Sequence, residues 1–402
     1  MGVTIGADPS AQVKPARKLS IESVVEGEQI STPEGNVFQA EIFYPLDHPH
    51  GNGNLRLSAS LDLVSAWAGE ERIARHTPEQ FAFIDTETTG LSGGVGTIAF
   101  MVGAGRFEAD GFRLVQFFMR EPGEEPALLH ALEEFLAPAE TVVSFNGKSF
   151  DIPLLQSRYT ANSKPFPMAN SAQLDLLHLA RRLWRDRLPD RSLGYLEEHI
   201  LGQTRTQDDT PGWMIPQLYF DYLRSRDARP MRGIFYHNEM DILTLAVLTE
   251  HIAHLLADPL DGRVAHALDL AAIGRLNEDL GYTDQAVEIL SCCLDQDMPG
   301  DARQGVVRRL SFLHKRRGDI PQALSLWWQA ASDRELYAFE ELAKFYEHTE
   351  KNFSEALKWT ESALALVAAP GTPFADKLHW EGPLKHRQVR LLDKIKRYGE
   401  LE

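Results

Sequence analysis

Two acids separated by one residue close an apolar run in Phe81-Ala-Phe-Ile-Asp85-Thr-Glu87-Thr-Thr-Gly90. On a strand that spacing directs Asp85 and Glu87 to one face and Thr86 to the other. Paired carboxylates at a strand end repel each other unless a cation lies between them, although a solvated acidic strand end would read the same. The turn Thr88-Thr89-Gly90-Leu91 follows at once. It exposes backbone amides that suit a phosphate or a sugar hydroxyl, with Leu91 placed to wedge against a terminal base or simply to pack. Asp151 is reached through Asn146-Gly-Lys148-Ser-Phe150-Asp151, where a strand gives way to a helix. The helix dipole alone would favour an acid there; beside the first motif it reads better as a ligand of a metal ion or of its water. Asp241 precedes the apolar run Ile-Leu-Thr-Leu-Ala-Val-Leu, so its helix is expected to be buried and its carboxylate to need a partner. Four carboxylates brought to one point are the binding chemistry of a hard divalent cation, Mg²⁺ or Mn²⁺.

His237 stands four residues before Asp241, on the same helix face. That spacing also makes ordinary local pairs, but a histidine of near-neutral pKa one turn from a metal ligand suits a general base. Tyr236 lies well round the helix from Asp241 and ordinarily titrates near 10, so it is the poorer base. Lys148 is placed to meet a phosphate or to remain an exposed lysine. Arg181, Arg182, Arg185, Arg187 and Arg191 crowd one stretch with Trp184 among them. Arginines interleaved with an aromatic are the composition of a single-strand track; a helix face balanced by Asp186 and Asp190 is the rival reading. Arg308, Arg309, Lys315, Arg316 and Arg317 form a second basic group that either extends the track or is a solvated surface. Gly93-Gly-Val-Gly96 lacks the Lys-Ser/Thr of a nucleotide P-loop.

The elements that must hold these residues alternate between strand and helix. Strand patterns cover Phe81–Thr86, Thr97–Gly105, Phe112–Met119 and Thr141–Phe145. Helical patterns cover Glu125–Leu136, Asp151–Tyr159, Gln173–Arg185, Ser192–Ile200 and Tyr236–Leu256. The mixture predicts an α/β domain with a partly antiparallel sheet over 76–258. Residues 1–75 are expected as an N-terminal arm, partly extended, with a strand over Val37–Tyr44; His48 and His50, flanking Pro49, read as a solvated turn. From residue 262 to about 400 the pattern is helix after helix. Gly281-Tyr-Thr-Asp-Gln-Ala286, Gly318-Asp-Ile-Pro-Gln-Ala323 and Asn352-Phe-Ser-Glu-Ala356 recur at spacings of 37 and 33–34. A period near 34 with a small residue at a fixed offset resembles tetratricopeptide repeats, with a capping helix expected over His386–Tyr398.

The totals fit this plan. The 402 residues exceed one ordinary core, and 43% hydrophobic with 25% charged residues is the balance of a water-soluble globular chain. Two adjacent cysteines, Cys292 and Cys293, build no disulfide framework, and no apolar leader or membrane span is expected, which points to a cytoplasmic protein with no membrane partner. A net charge of −17 argues against a nucleic-acid coat protein. An enzyme acting on nucleic acid needs positive charge only along its track, and bound metal supplies part of it.

The order Asp85-x-Glu87, then Asn146-x₃-Phe150-Asp151, then Tyr236-His237-x₃-Asp241 resembles the DEDD-type 3′→5′ exonucleases of the ribonuclease-H-like superfamily. Within them the chain is most similar to the YprB-type (MrfB-like) group, which joins that domain to tetratricopeptide repeats. Asp175-Leu-Leu-His-Leu-Ala180 and Ser192-Leu-Gly-Tyr-Leu196 match internal landmarks of such domains, so Asp175 is expected to be structural. The resemblance implies an α/β ribonuclease-H-like domain, a mixed sheet flanked by helices, followed by an all-α TPR-like repeat domain. It implies metal ligands at Asp85, Glu87, Asp151 and Asp241, with two ions about 4 Å apart clamping the scissile phosphate. It also implies a nucleic-acid substrate with a single-stranded 3′ end, held near Thr88, Thr89, Gly90, Leu91, Asn146, Lys148, Arg181, Arg182 and Arg185. A DNA-repair role beside a protein partner, such as a helicase bound by the repeats, is the family expectation. The histidine-type subclass has its base five residues before the last Asp and the tyrosine-type four before. Here Tyr236 is at minus five and His237 at minus four, and His237 is taken as the base. The rival to catalysis is a nucleic-acid-binding TPR scaffold that does not cut.

Overall fold

A computed structural model of the chain describes residues 18–90 and 96–399. Leu91 lies outside the described residues, as does the start of the N-terminal arm. The chain divides into two compact units at Asp258/Pro259.

Among its described residues the first unit has nine strands: β1 (Glu28–Thr32), β2 (Gly35–Pro45), the two-residue pair β3 (Pro49–His50) and β4 (Gly53–Asn54), β5 (Phe81–Thr88), β6 (Ala99–Glu108), β7 (Gly111–Phe118), β8 (Thr141–Ser144) and β9 (Ala172–Asp175). Its helices are α1 (Asp62–Ala68), α2 (Glu125–Leu136), α3 (Asp151–Ala161), α4 (Leu176–Trp184), α5 (Leu193–His199), α6 (Ile215–Ser225) and α7 (Met231–Ala257). Seven strands form one mixed sheet in the order β1-β2-β7-β6-β5-β8-β9. β5, β8 and β9 run parallel, and the other neighbours are antiparallel.

The expected N-terminal arm is corrected by this order. β1 and β2 are an antiparallel pair, and β2 lies along β7 from Phe38↔Phe118 to Pro45↔Gly111. Val37 and Phe38 are fully buried, so apolar burial holds this segment to the sheet instead of leaving it apart. Three more expectations change. The helix expected over Gln173–Arg185 starts only at Leu176, because Ala172–Asp175 forms β9 beside β8. α7 begins at Met231, so Tyr236 lies a turn and more inside it. His50 is only 2% exposed and shares a hydrogen bond of 2.8 Å with the Thr244 hydroxyl, so it belongs to no solvated turn.

α7 packs on β5 and β6 and is buried along most of its length. Its apolar stretch is long enough to cross a membrane, but 78% of it is buried, the mark of a core helix. Gly103 and Gly105 allow the close approach. A Cβ on Gly103 would lie 2.1 Å from Asn238 Oδ1, and one on Gly105 2.7 Å from Ile242 Cγ2. An aromatic cluster fills the neighbouring core, with Phe100 and Tyr219 stacked at 3.9 Å and Phe118 edge-on to Phe38 and Phe235.

The second unit is all α: α8 (Ala267–Asp279), α9 (Thr283–Leu294), α10 (Gly300–Arg317), α11 (Ile320–Ser332), α12 (Leu336–His348), α13 (Phe353–Ala368) and α14 (Phe374–Gly399). They pair as α8–α9, α10–α11 and α12–α13, with α14 against α13, which makes a helical repeat domain. Ala286, Ala323 and Ala356 are fully buried at one place in each repeat. The final helix reaches further back than the expected cap over His386–Tyr398. Glu347, on α12, is buried under Arg387, Arg390 and Lys394 of α14.

Candidate active site

The apolar run Phe81–Ile84 buries the first half of β5, and its acids come where the strand reaches the sheet's end. A register shift between Glu87 and Thr88 breaks the ladder with β6 there, a device that re-aims side chains at a strand end. Parallel pairing sets the ends of β5 and β8 side by side, so the loop leaving β8 delivers Asp151, at the start of α3, next to the first two acids. α7 brings Asp241 to the same place. The ends of parallel strands are the usual location of sites in α/β sheets.

The electrostatics record this convergence. Burial, then Asp241 and then Asp151, push the Asp85 carboxyl well above its ordinary range. Burial, Asp85, Asp241 and Asp151 do the same to Glu87. Burial also raises Asp151 to about 6, against the hydrogen bond it receives from Thr86. These shifts disfavour the charged forms in the protein alone, a penalty that a cation would relieve.

Three of the four carboxylates nevertheless have their own protein partners. The Asn238 amide donates to Asp85 Oδ2 at 2.9 Å, and Gln116 holds Asn238 Oδ1 at 2.9 Å while also donating to the Phe235 carbonyl. The Thr86 hydroxyl donates to Asp151 Oδ1, so Thr86 serves the site despite pointing away from its neighbours' face. The Arg205 guanidinium holds Asp241 Oδ1. Among the described residues, no three His, Cys, Asp or Glu side chains lie in a ready-made metal-holding arrangement. An all-carboxylate donor set fits a hard divalent cation.

His237 Nδ1 lies 2.8 Å from Asp209 Oδ1 and 3.2 Å from Arg205 Nη1. Its Nε2 lies 3.5 Å from Asp241 Oδ2, so each ring nitrogen faces a carboxylate. Tyr236 is engaged elsewhere, its oxygen accepting the Thr206 amide at 3.0 Å. Arg205 is in turn gripped by Glu197, which is 1% exposed and accepts the Thr244 hydroxyl at 2.7 Å. His50 backs Thr244, and burial followed by the Arg205 charge lowers the His50 pKa to about 4.

The sequence singles out none of Gln116, Glu197, Arg205, Asp209 and Asn238 for this cluster. The nearest signal is that the 201–211 segment carries Arg and two Asp in an otherwise aperiodic stretch.

The expected grip residues separate. The Thr88 hydroxyl donates to the Gly90 carbonyl, and Thr89 pairs with Ile98 through backbone and side chain. Asn146 adopts a φ of 65°. Its amide and that of Lys148 donate to Asp175, which is buried and also caps α4 through Leu177, so Asp175 is a scaffold of the loop. The Lys148 side chain is exposed. Trp184 is 1% exposed and cannot stack on a base; the strong amphipathicity of α4 turns it inward. Arg181 and Arg185 are exposed, Arg185 near Asp186 at 3.5 Å, while Arg182 is half-buried. On the repeats, Arg309 and Arg316 pair with Glu278, Lys315 with Glu341 and Arg317 with Asp284, and Arg308 lies over the Tyr337 ring. The second basic group is therefore a largely neutralised surface.

Two cavities flank the acids. One of about 470 Å³ is lined by Arg205, Asp209, His237 and Asp241. The other, of about 270 Å³, is lined by Thr86, Glu87, Thr88, Gly90, Asp151 and the half-exposed Phe150.

The profile of the RNase_H superfamily matches residues 82–253. The chain is 31% identical over 353 residues to the uncharacterized protein YprB of Bacillus subtilis, covering 84% of this chain and 83% of that one. The family B DNA polymerase of the hyperthermophilic archaeon Pyrobaculum calidifontis aligns with a TM-score of 0.33 at 17% identity, over 51% of this chain and 30% of the polymerase chain.

Proposed function

Because the chain belongs to the same family as YprB and carries an RNase H-like, nuclease-type domain, we propose that it is a divalent-metal-dependent 3′→5′ exonuclease acting on DNA or RNA. The observation that carries this reading is the meeting of Asp85 and Glu87 with Asp151 and Asp241, close enough that burial and the charges of the latter two raise the first two, while burial raises Asp151. These four side chains would hold Mg²⁺ or Mn²⁺, whose charge, when bound, favours attack on a phosphodiester and departure of its 3′-oxygen.

The chain's own residues supply the rest. Asn238 fixes the Asp85 carboxylate and Thr86 fixes Asp151, so both present their free oxygens to the site. His237, with Nδ1 beside Asp209, offers Nε2 to the proton of an attacking water. Phe150, half-exposed at the rim of the smaller cavity, offers a face to a terminal base. Lys148, Arg181 and Arg185, all exposed, are left to meet backbone phosphates, with Arg182 beside them. Thr88, Thr89 and Gly90 form the wall near the terminal nucleotide. The helical repeats suit a tetratricopeptide-like role, recruiting a protein partner such as a helicase in DNA repair.

The test is incubation of the purified chain with 5′-labelled single- and double-stranded DNA and RNA in Mg²⁺, Mn²⁺ or chelator. A ladder of shortened products that disappears in chelator and in Asp85→Ala supports the reading. Intact substrate with both metals, with strand binding retained, would leave a nucleic-acid-binding scaffold in its place.

A further inference from the structure

Arg205 belongs to neither the strand end nor the helices that carry the acids, yet its guanidinium lies among them. Its inner edge is fixed. Nε lies 3.1 Å from each oxygen of Glu197, and Nη2 lies 2.6 Å from Oε2. Behind Glu197 stand the buried Thr244 hydroxyl and His50. Its outer edge faces the site, with Nη2 on Asp241 Oδ1 and Nη1 3.2 Å from His237 Nδ1 and 3.7 Å from Asp209. That edge opens on the larger cavity, which has room for a phosphate group.

We infer that Arg205 is shared between Asp241 and the phosphate of a bound nucleic-acid strand, neutralising Asp241 in the protein alone and turning its outer edge to the phosphate once Asp241 engages a divalent cation. The inference rests on the metal-dependent nuclease reading above. A cation and a guanidinium compete for one carboxylate oxygen and repel each other, so metal at Asp241 weakens the Arg205 contact. The grip of Glu197 keeps the guanidinium from leaving. What remains is a fixed arginine with a free forked edge at the rim of the site, a geometry that matches phosphate oxygens. Asp209 is the rival acceptor for the freed edge, and the two outcomes differ measurably.

The full chain is titrated with Mn²⁺ in a calorimeter without nucleic acid. Separately, its affinity for a fluorescein-labelled oligothymidylate is read by anisotropy in Ca²⁺ over a range of salt. Arg205→Gln should bind Mn²⁺ about fivefold more tightly, because a competitor for Asp241 is gone, and the oligonucleotide about tenfold more weakly, one charge-assisted contact being lost. The slope of log affinity against log salt should become shallower by about 0.7. Because Arg205→Gln leaves Glu197 buried without its partner, the double variant Arg205→Gln/Glu197→Gln is measured beside it, with circular dichroism confirming the fold. It should show the same opposed shifts. Weaker Mn²⁺ binding in the folded variants would make Arg205 only a support of Asp241 and overturn the inference. Unchanged oligonucleotide affinity and slope would give the freed edge to Asp209 and overturn it as well. A wild-type chain that takes up no Mn²⁺ would bring down the nuclease reading together with this one. A wild type that binds Mn²⁺ as its variants do removes this inference alone.

Discussion

Asn238 occupies the space that a side chain on Gly103 would fill: a Cβ there would lie 2.1 Å from Asn238 Oδ1 and 2.7 Å from its Cγ. Gly103 is also the ladder partner of Asp85 across β5 and β6. One missing side chain thus admits α7 to the sheet and lets its amide reach Asp85. The Asn238 side chain cannot swing aside easily, since Gln116 holds its other end. Gly103→Ala should therefore destabilise the fold by about 1–3 kcal/mol through overpacking. It should also lower nuclease activity beyond that loss, because Asp85 loses its orienting partner. Urea unfolding and turnover per folded molecule check the two effects. Full activity in the folded variant would show that the Asn238–Asp85 contact has no part in the site.

The raised carboxyls set a pH dependence. Asp151 titrates near 6 in the folded chain against about 3.9 when unfolded. Between those values the folded state binds more protons, so stability of the metal-free protein falls as pH rises through the window and levels off above it. Asp85 and Glu87 shift in the same direction. Glu347, lowered to about 2, acts oppositely and loses its contribution only at more acid pH. Bound cations displace the protons of the first three, so Mn²⁺ should raise the melting temperature far more at pH 8 than at pH 5. At a concentration near 100 times Kd the stabilisation is about 2.7 kcal/mol. Asp151→Asn should flatten the metal-free profile. Equal Mn²⁺ responses at both pH values would separate these acids from metal binding.

His237 and Tyr236 differ in what holds them. Asp209 fixes one, while the Thr206 amide occupies the oxygen of the other. His237→Ala should lower kcat by roughly 10²–10⁴-fold, the usual share of a general base. Asp209→Asn should lower it less, with the acid limb of the pH–rate profile displaced. Tyr236→Phe should leave the rate nearly unchanged. A larger loss for Tyr236→Phe than for His237→Ala would reverse the assignment.

What the sequence makes legible follows from the range of the forces involved. Phe81–Ile84 and the acids after it report a buried strand ending at a site, because alternation and burial are local. Asp175 is expected to be structural only from its place in a family landmark; the helix expected over Gln173–Arg185 hides that it caps α4 at Leu177. Arg205 and Asp209 are not legible, since they lie in an aperiodic segment and acquire meaning only by packing against α7. Trp184 shows the converse. Its arginine neighbours suggest a stacking surface, but the apolar side of α4 buries it. His50 is illegible for the same reason, its partner Thr244 lying nearly two hundred residues away.

The repeats carry one departure that a backbone argument resolves. Gly281, Gly318 and Lys351 adopt φ values of 85°, 78° and 54°, and each stands two residues before a helix start, at Thr283, Ile320 and Phe353. Each also lies five residues before a buried alanine, Ala286, Ala323 or Ala356. The third repeat therefore keeps the register of the other two, with lysine where they have glycine. The left-handed conformation costs a residue with a Cβ roughly 1–2 kcal/mol, and glycine avoids that at the expense of greater freedom in the unfolded chain. Lys351 is exposed, and nothing lies within 4 Å of a Cβ built on Gly281 or Gly318, so strain decides all three positions. Lys351→Gly should raise stability by about 0.5 kcal/mol, while Gly281→Ala and Gly318→Ala should each lower it by about 1 kcal/mol. Chemical unfolding midpoints of the full chain separate these signs. A loss on Lys351→Gly would mean that its side chain contributes more than its backbone strain removes, and the equivalence of the three turns would fail.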